Sequence, residues 1–279
     1  LLYLNMKGFM GLTSIFLKDS TQCQLKDLQV GAILECGARV VCKQQIQNIE
    51  SLYLYNNRIY ILGGHRVIEN NTIITIKDSP LSIKTSCKPN HVYCLTTDTG
   101  FIDIRGDTFA DYSENRNIYL NKTINDLILN FWNFKKPDST IFSKGVDFLE
   151  HGFSHDTMFQ LQDGTKKCIE NIAMGDLLEN NNIVIGLVEL DPYYFLFYEF
   201  CGVVVSSNMK VYDDIHWKNI ECVSHAEITK KPFKAFHLIT ADSMMKCKNN
   251  FFLDYRQIKS PEINQEVNKL NDIAFSLSK

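Results

Sequence analysis

Short apolar runs punctuated by polar turn residues dominate the chain, and their period is that of strands. Thr13 to Leu17, Val40 to Val41, Tyr53 to Leu62, Thr72 to Ile76, His91 to Thr96 and Phe101 to Ile104 are rich in β-branched and aromatic residues. They are bounded by Gly, Asn, Asp or Pro, the residues that stop strands. A second series follows: Met158 to Leu161, Ile183 to Leu187, Tyr193 to Phe200, Gly202 to Val205, Lys210 to Tyr212 and Phe236 to Thr240. Asp19-Ser20 and Asp163-Gly164 each follow the first strand of a series and predict a type I′ hairpin, in which both central residues need positive φ. Only two stretches carry helical spacing. Ile124, Leu127, Ile128, Phe131 and Trp132 form one; Val267, Leu270, Ile273, Ala274 and Leu277, after Pro261, form the other.

The two series are copies. Phe153 falls on Phe9, Thr157 on Thr13, Leu161 on Leu17, Asp163 on Asp19 and Gly175 on Gly31, all at 157 − 13 = 144. The same offset places Val211 on Val67, Thr240 on Thr96 and Asp242 on Asp98, then slips by one so that Phe252 meets Phe109 and Tyr255 meets Tyr112. Register held over that length predicts a tandem duplication in which each copy buries its own core. The expected organisation is a first repeat with its trailing helix over 1–134, a polar linker over 135–151, and a second repeat with its helix over 152–279.

Composition narrows the class without changing this outline. Of the 279 residues, 45% are hydrophobic and 22% charged, and the net charge is −3. That is an ordinary folded chain with no basic stripe for a phosphate backbone, so nucleic acid is excluded as a charge-driven partner. Nine cysteines are an odd number, and Cys168 overlies Gln24, so the cysteines were not duplicated as a disulfide framework would be. Free thiols in a reducing intracellular compartment are expected. Two Asn-x-Thr sequons, at Asn70 and Asn121, do not alter that reading. The opening LLYLNMKGFMGLTSIFL lacks the form of a signal peptide or a clean span. It reads as a first strand with its lead-in or as the end of a larger precursor, the one route by which a membrane would enter.

GFSHDTMFQLQDGTKKCIENIAMGDLLENNNIVIG, Gly152 to Gly186, resembles the opening of Hint modules, the family of hedgehog autoprocessing domains and inteins. The family pattern is Cys-Phe-x-x-x-Thr, a strand, an Asp-Gly turn and an Ile-x-x-Ile-x-x-Gly-Asp step. GHRVIENNTIITIKDSP and CLTTDTGFIDIRGDTFADYSE are similar to later segments of Hint-type proteins of large DNA viruses of eukaryotes. The resemblance implies a mainly β fold of two tandem Hint-like units, each followed by an amphipathic helix. It also implies a chemistry: a Cys or Ser attacks the preceding carbonyl while the Thr and His of a Thr-x-x-His motif hold and protonate the scissile amide. On this alignment the nucleophile position is Gly152 in the second copy and Gly8 or its neighbours in the first. Thr96 and Thr240 take the Thr position, and Thr99 and Ser243 stand where His belongs. His65 matches a His of the viral relatives and is replaced by Met209 in the second copy. No catalytic residues and no cofactor are therefore expected.

Other residue types suggest further chemistry. Ser154-His155-Asp156 are triad types, but neighbours on an extended chain face opposite ways. His216, Cys222, His225 and His237 are candidate zinc ligands by type, overlying Thr72, Asp78, Leu81 and Tyr93 of the first copy. Cys36, Cys42, Cys87 and Cys94 read as inert thiols. The aromatic run Pro192 to Val205 reads as core strand, or as an exposed face for a partner.

The sequence thus predicts a non-catalytic structural or interaction protein, plausible as a virion component of minor-capsid or assembly type, with other proteins as partners. A residual autoprocessing protein with a shifted nucleophile and a zinc-stabilised binding module are the alternatives.

Overall fold

The structure, a computed structural model, describes residues 7–111 and 152–254 apart from 214–215 and 243. The two helices expected from residues 124–132 and 267–277, the linker at 135–145, Ser243 and the Asn121 sequon lie outside the described residues. The chain divides into two compact units, with the boundary at Ser113 and Glu114.

Mainly β architecture is what the runs produce. Unit 1 holds β1 (Phe9–Met10), β2 (Ser14–Phe16), β3 (Gln22–Gln24), β4 (Val40–Gln47), β5 (Tyr53–Tyr55) and β6 (Ile59–Ile61). It continues with β7 (Arg66–Glu69), β8 (Thr72–Thr75), β9 (Ser82–Lys84), β10 (His91–Thr97), β11 (Phe101–Ile104) and β12 (Asp107–Ala110). Unit 2 holds β13 (Phe153–Ser154), β14 (Met158–Gln160), β15 (Lys166–Cys168), β16 (Val184–Leu190), β17 (Phe197–Phe200) and β18 (Val203–Ser206). There follow β19 (Lys210–Tyr212), β20 (Trp217–Asn219), β21 (Glu227–Thr229), β22 (Ala235–Thr240), β23 (Met244–Cys247) and β24 (Asn250–Leu253).

Both units wire these strands the same way. Within unit 1 the antiparallel order is β4-β10-β1-β6-β5-β9; within unit 2 it is β16-β22-β13-β18-β17-β21. A second sheet runs β11-β12-β7-β8 in one unit and β23-β24-β19-β20 in the other, and a hairpin, β2-β3 or β14-β15, completes each. Period-2 alternation sends one face inward. Phe9, Ile61, Leu95 and Phe109 meet in the core of unit 1, and Phe153, Val205, Leu238 and Phe252 in that of unit 2.

A shorter repeat lies inside each unit. Thr13 N–H donates to Met10 O and Leu25 N–H to Thr13 O; 52 or 51 residues later, His65 N–H donates to Leu62 O and Ile76 N–H to His65 O. In unit 2 the pairs are Thr157 with Ser154 and Ile169 with Thr157, then Met209 with Ser206 and Ile220 with Met209. Each 3₁₀ turn so anchored buries its first apolar residue, Leu25, Ile76, Ile169 or Ile220. Leu25-Lys26-Asp27 and Ile76-Lys77-Asp78 carry the signal in the sequence.

The turns correct one expectation. Ser20 and Gly164 have positive φ, 65° and 84°, but Asp19 and Asp163 do not. Leu17 and Leu161 accept from Ser20 and Gly164 N–H, so each loop is a type I turn followed by one left-handed residue. The Asp side chain explains the choice: it accepts from both N–H and Oγ1 of Thr21, or of Thr165, which requires its own backbone to stay right-handed. True type I′ geometry, positive φ at both central residues, occurs at Asn56-Asn57, Asn70-Asn71, Arg105-Gly106, Cys201-Gly202 and Lys248-Asn249. The expected run Tyr53 to Leu62 is accordingly two strands folded about Asn56-Asn57, with Arg58 N–H closing onto Tyr55 O. The run Tyr193 to Phe200 opens with a 3₁₀ turn, Pro192–Tyr194, before β17 begins. Among the described residues no helix is long and apolar enough to cross a membrane.

Candidate functional site

Gly8 and Gly152 occupy matching places at the start of β1 and β13. Leu62 N–H donates to Gly8 O at 2.9 Å, and Ser206 N–H donates to Gly152 O at 2.8 Å. Unit 2 adds a reciprocal bond, Gly152 N–H to Ser206 Oγ at 2.8 Å. The group touching this amide therefore comes from the end of β18, which the sequence alignment did not single out. In unit 1 the matching side chain is the fully buried Leu62.

A side chain at either glycine would require its neighbours to shift. A Cβ on Gly152 would lie 2.7 Å from Leu190 Cδ1. On Gly8, whose φ is +144°, it would lie 3.0 Å from Val92 Cβ and Cγ2. The aliphatic side chains of the neighbouring strands crowd both positions.

The next residue, Phe9 or Phe153, is an aromatic hub. Phe9 meets His65 at 4.5 Å between ring centroids and Phe109 at 5.2 Å. Phe153 meets Phe252 at 5.1 Å, Phe159 at 5.2 Å and His237 at 5.9 Å. Each hub thus holds one buried imidazole, His65 from the turn before β7 and His237 from β22. His65 stands where unit 2 has Met209. His237, paired to Val188, stands where unit 1 has Cys94, paired to Gln44, so its counterpart is Cys94 and not Tyr93. Burial, reinforced by the charge of Lys7, pulls His65 down to about 3; burial also takes His237 to about 3, against the opposing Leu238 backbone. Both rings are neutral at physiological pH. The Ala110 backbone opposes the shift at His65 without outweighing burial.

Cys94 is fully buried, and its Sγ donates to Lys7 O at 3.0 Å. This carbonyl immediately precedes Gly8. Burial pushes the thiol up to about 12, so it is present as S–H, a donor and not a thiolate.

The register also moves the threonine assignment. Thr97 pairs with Val40 and Thr240 with Val184, so the one-residue slip is complete before β10 and the offset here is 143. Thr240 corresponds to Thr97, not to Thr96, and Asp98 corresponds to Ala241: Asp98 N–H and Ala241 N–H donate to Arg39 O and Ile183 O. Both threonines sit at a β-bulge, which leaves their N–H without a strand partner. Asp111 accepts from Thr97 N–H at 2.7 Å, and Asp254 from Thr240 N–H at 2.6 Å. Thr99, exposed, lies 3.3 Å from the Thr97 hydroxyl. Thr96 points to the other face, fully buried, and its Oγ1 has no hydrogen-bond partner among the described residues.

The remaining candidates are dispersed. His225 stacks on Phe200 at 5.0 Å, Cys222 is exposed, His216 N–H caps onto Asp213, and His237 is in the core. Among the described residues no three His, Cys, Asp or Glu side chains gather as a metal would require. Ser154 Oγ donates to Asp156, while His155 faces Phe233 at 6.4 Å, so no relay forms. All nine cysteines are unpaired by disulfides. Of the aromatic run, Phe195 and Phe197 are core and Tyr193, Tyr194 and Leu196 are exposed.

No protein-family model matches the chain, and no curated protein matches it.

Proposed function

We propose that the chain is a tandem Hint-type protein that has lost self-cleavage and serves as a structural or interaction module, a virion component of capsid or assembly type acting in a reducing compartment. What carries the reading is the pair of glycines, Gly8 and Gly152, which bring no nucleophile, and the crowding there, where a Cβ would press on Val92 at 3.0 Å or require Leu190 Cδ1 to swing aside. On this reading the Thr-x-x-His position is Ser206-Ser207-Asn208-Met209 in unit 2, since Ser206 Oγ is the group that accepts from the Gly152 amide. Its unit 1 counterpart, Leu62-Gly63-Gly64-His65, keeps the His but lacks the hydroxyl. Each copy retains a different half of the motif, and neither retains the nucleophile.

A second reading, residual autoprocessing through Cys94, draws on its 3.0 Å contact with Lys7 O. Attack needs a thiolate aimed at the carbonyl carbon. Cys94 instead presents a protonated thiol to the oxygen, and the buried His65 imidazole, with its pKa about 3, is too weak a base to remove that proton.

Intact mass measured over days, with and without hydroxylamine or dithiothreitol, tests the proposal. One unchanged species is expected; scission at Lys7–Gly8 or His151–Gly152 overturns it.

A further inference from the structure

We draw no further inference here: the strongest candidate, the Cys168 thiol beside the Met158 thioether on the outward face of the β14–β15 hairpin, is a single cysteine whose contact is a hydrogen bond to its cross-strand neighbour, and among the described residues no second feature points to a ligand there.

Discussion

Thr240 donates both its N–H, at 2.6 Å, and its hydroxyl, at 3.0 Å, to a single carboxylate oxygen of Asp254. Thr97 and Asp111 do the same in unit 1, at 2.7 and 3.3 Å. The bond ties the bulged end of β22 to the residue that follows β24, so it closes one sheet onto the other. The acceptor carboxyl is buried, and its loss strands a backbone N–H. Asp254→Ala is expected to destabilise unit 2 by about 3 kcal/mol and Thr240→Val by about 1, as read by urea unfolding. Equal, small effects would show that the latch is ornamental.

Thr96, one residue before the unit 1 latch, faces the opposite way, and its hydroxyl is buried without a partner. Unit 2 has Ile239 at this place. Thr96→Val keeps the shape and removes the desolvated hydroxyl, so it should stabilise the chain by about 1 kcal/mol. A lower melting temperature for this variant would mean that the hydroxyl is satisfied.

The strand content and the doubled order were legible because both rest on local signals, alternation and a fixed spacing. The 143 offset at β10 and β22 was not, because the deletion lies in the connection before these strands and a threonine stands at both 96 and 97. That one-residue ambiguity gave Thr240 the wrong partner, and it hid the exchange of His237 for Cys94. Ser206 escaped notice for another reason: its role is a contact with Gly152, 54 residues away, and nothing near it in the chain announces that. Asp19 misled because Asp-Ser and Asp-Gly satisfy either turn type, and the choice falls to the threonine that follows.

The imidazoles set an acid limit. His65 and His237 have folded-state pKa values of about 3 against an ordinary value of 6.5, so below 6.5 the unfolded chain binds protons that the folded chain refuses. Their depressed values leave stability intact above pH 6.5 and erode it by about 1.4 kcal/mol per pH unit for each ring as pH falls toward 3. Unfolding midpoints measured from pH 7 to 4 should drop, and His65→Met, copying unit 2, should lessen the slope in unit 1. A slope unchanged by that variant would place the titration elsewhere.

Restoring a nucleophile should not restore cleavage. Gly152→Cys puts a Cβ 2.7 Å from Leu190 Cδ1, so the leucine side chain must swing out of its packing at a cost of about 1–3 kcal/mol. The group that accepts from this amide, Ser206, is present, but Met209 stands where unit 1 has His65, and His237 is neutral, buried against Phe153 and paired to β16. Among the described residues named at this amide, none protonates a departing amine near neutral pH. Gly152→Cys is therefore expected to melt lower and to remain a single mass, and adding Met209→His should leave that mass unchanged unless Leu190→Ala first opens the space. Cleavage by Gly152→Cys alone would show that the site is intact and that the glycine was its sole defect.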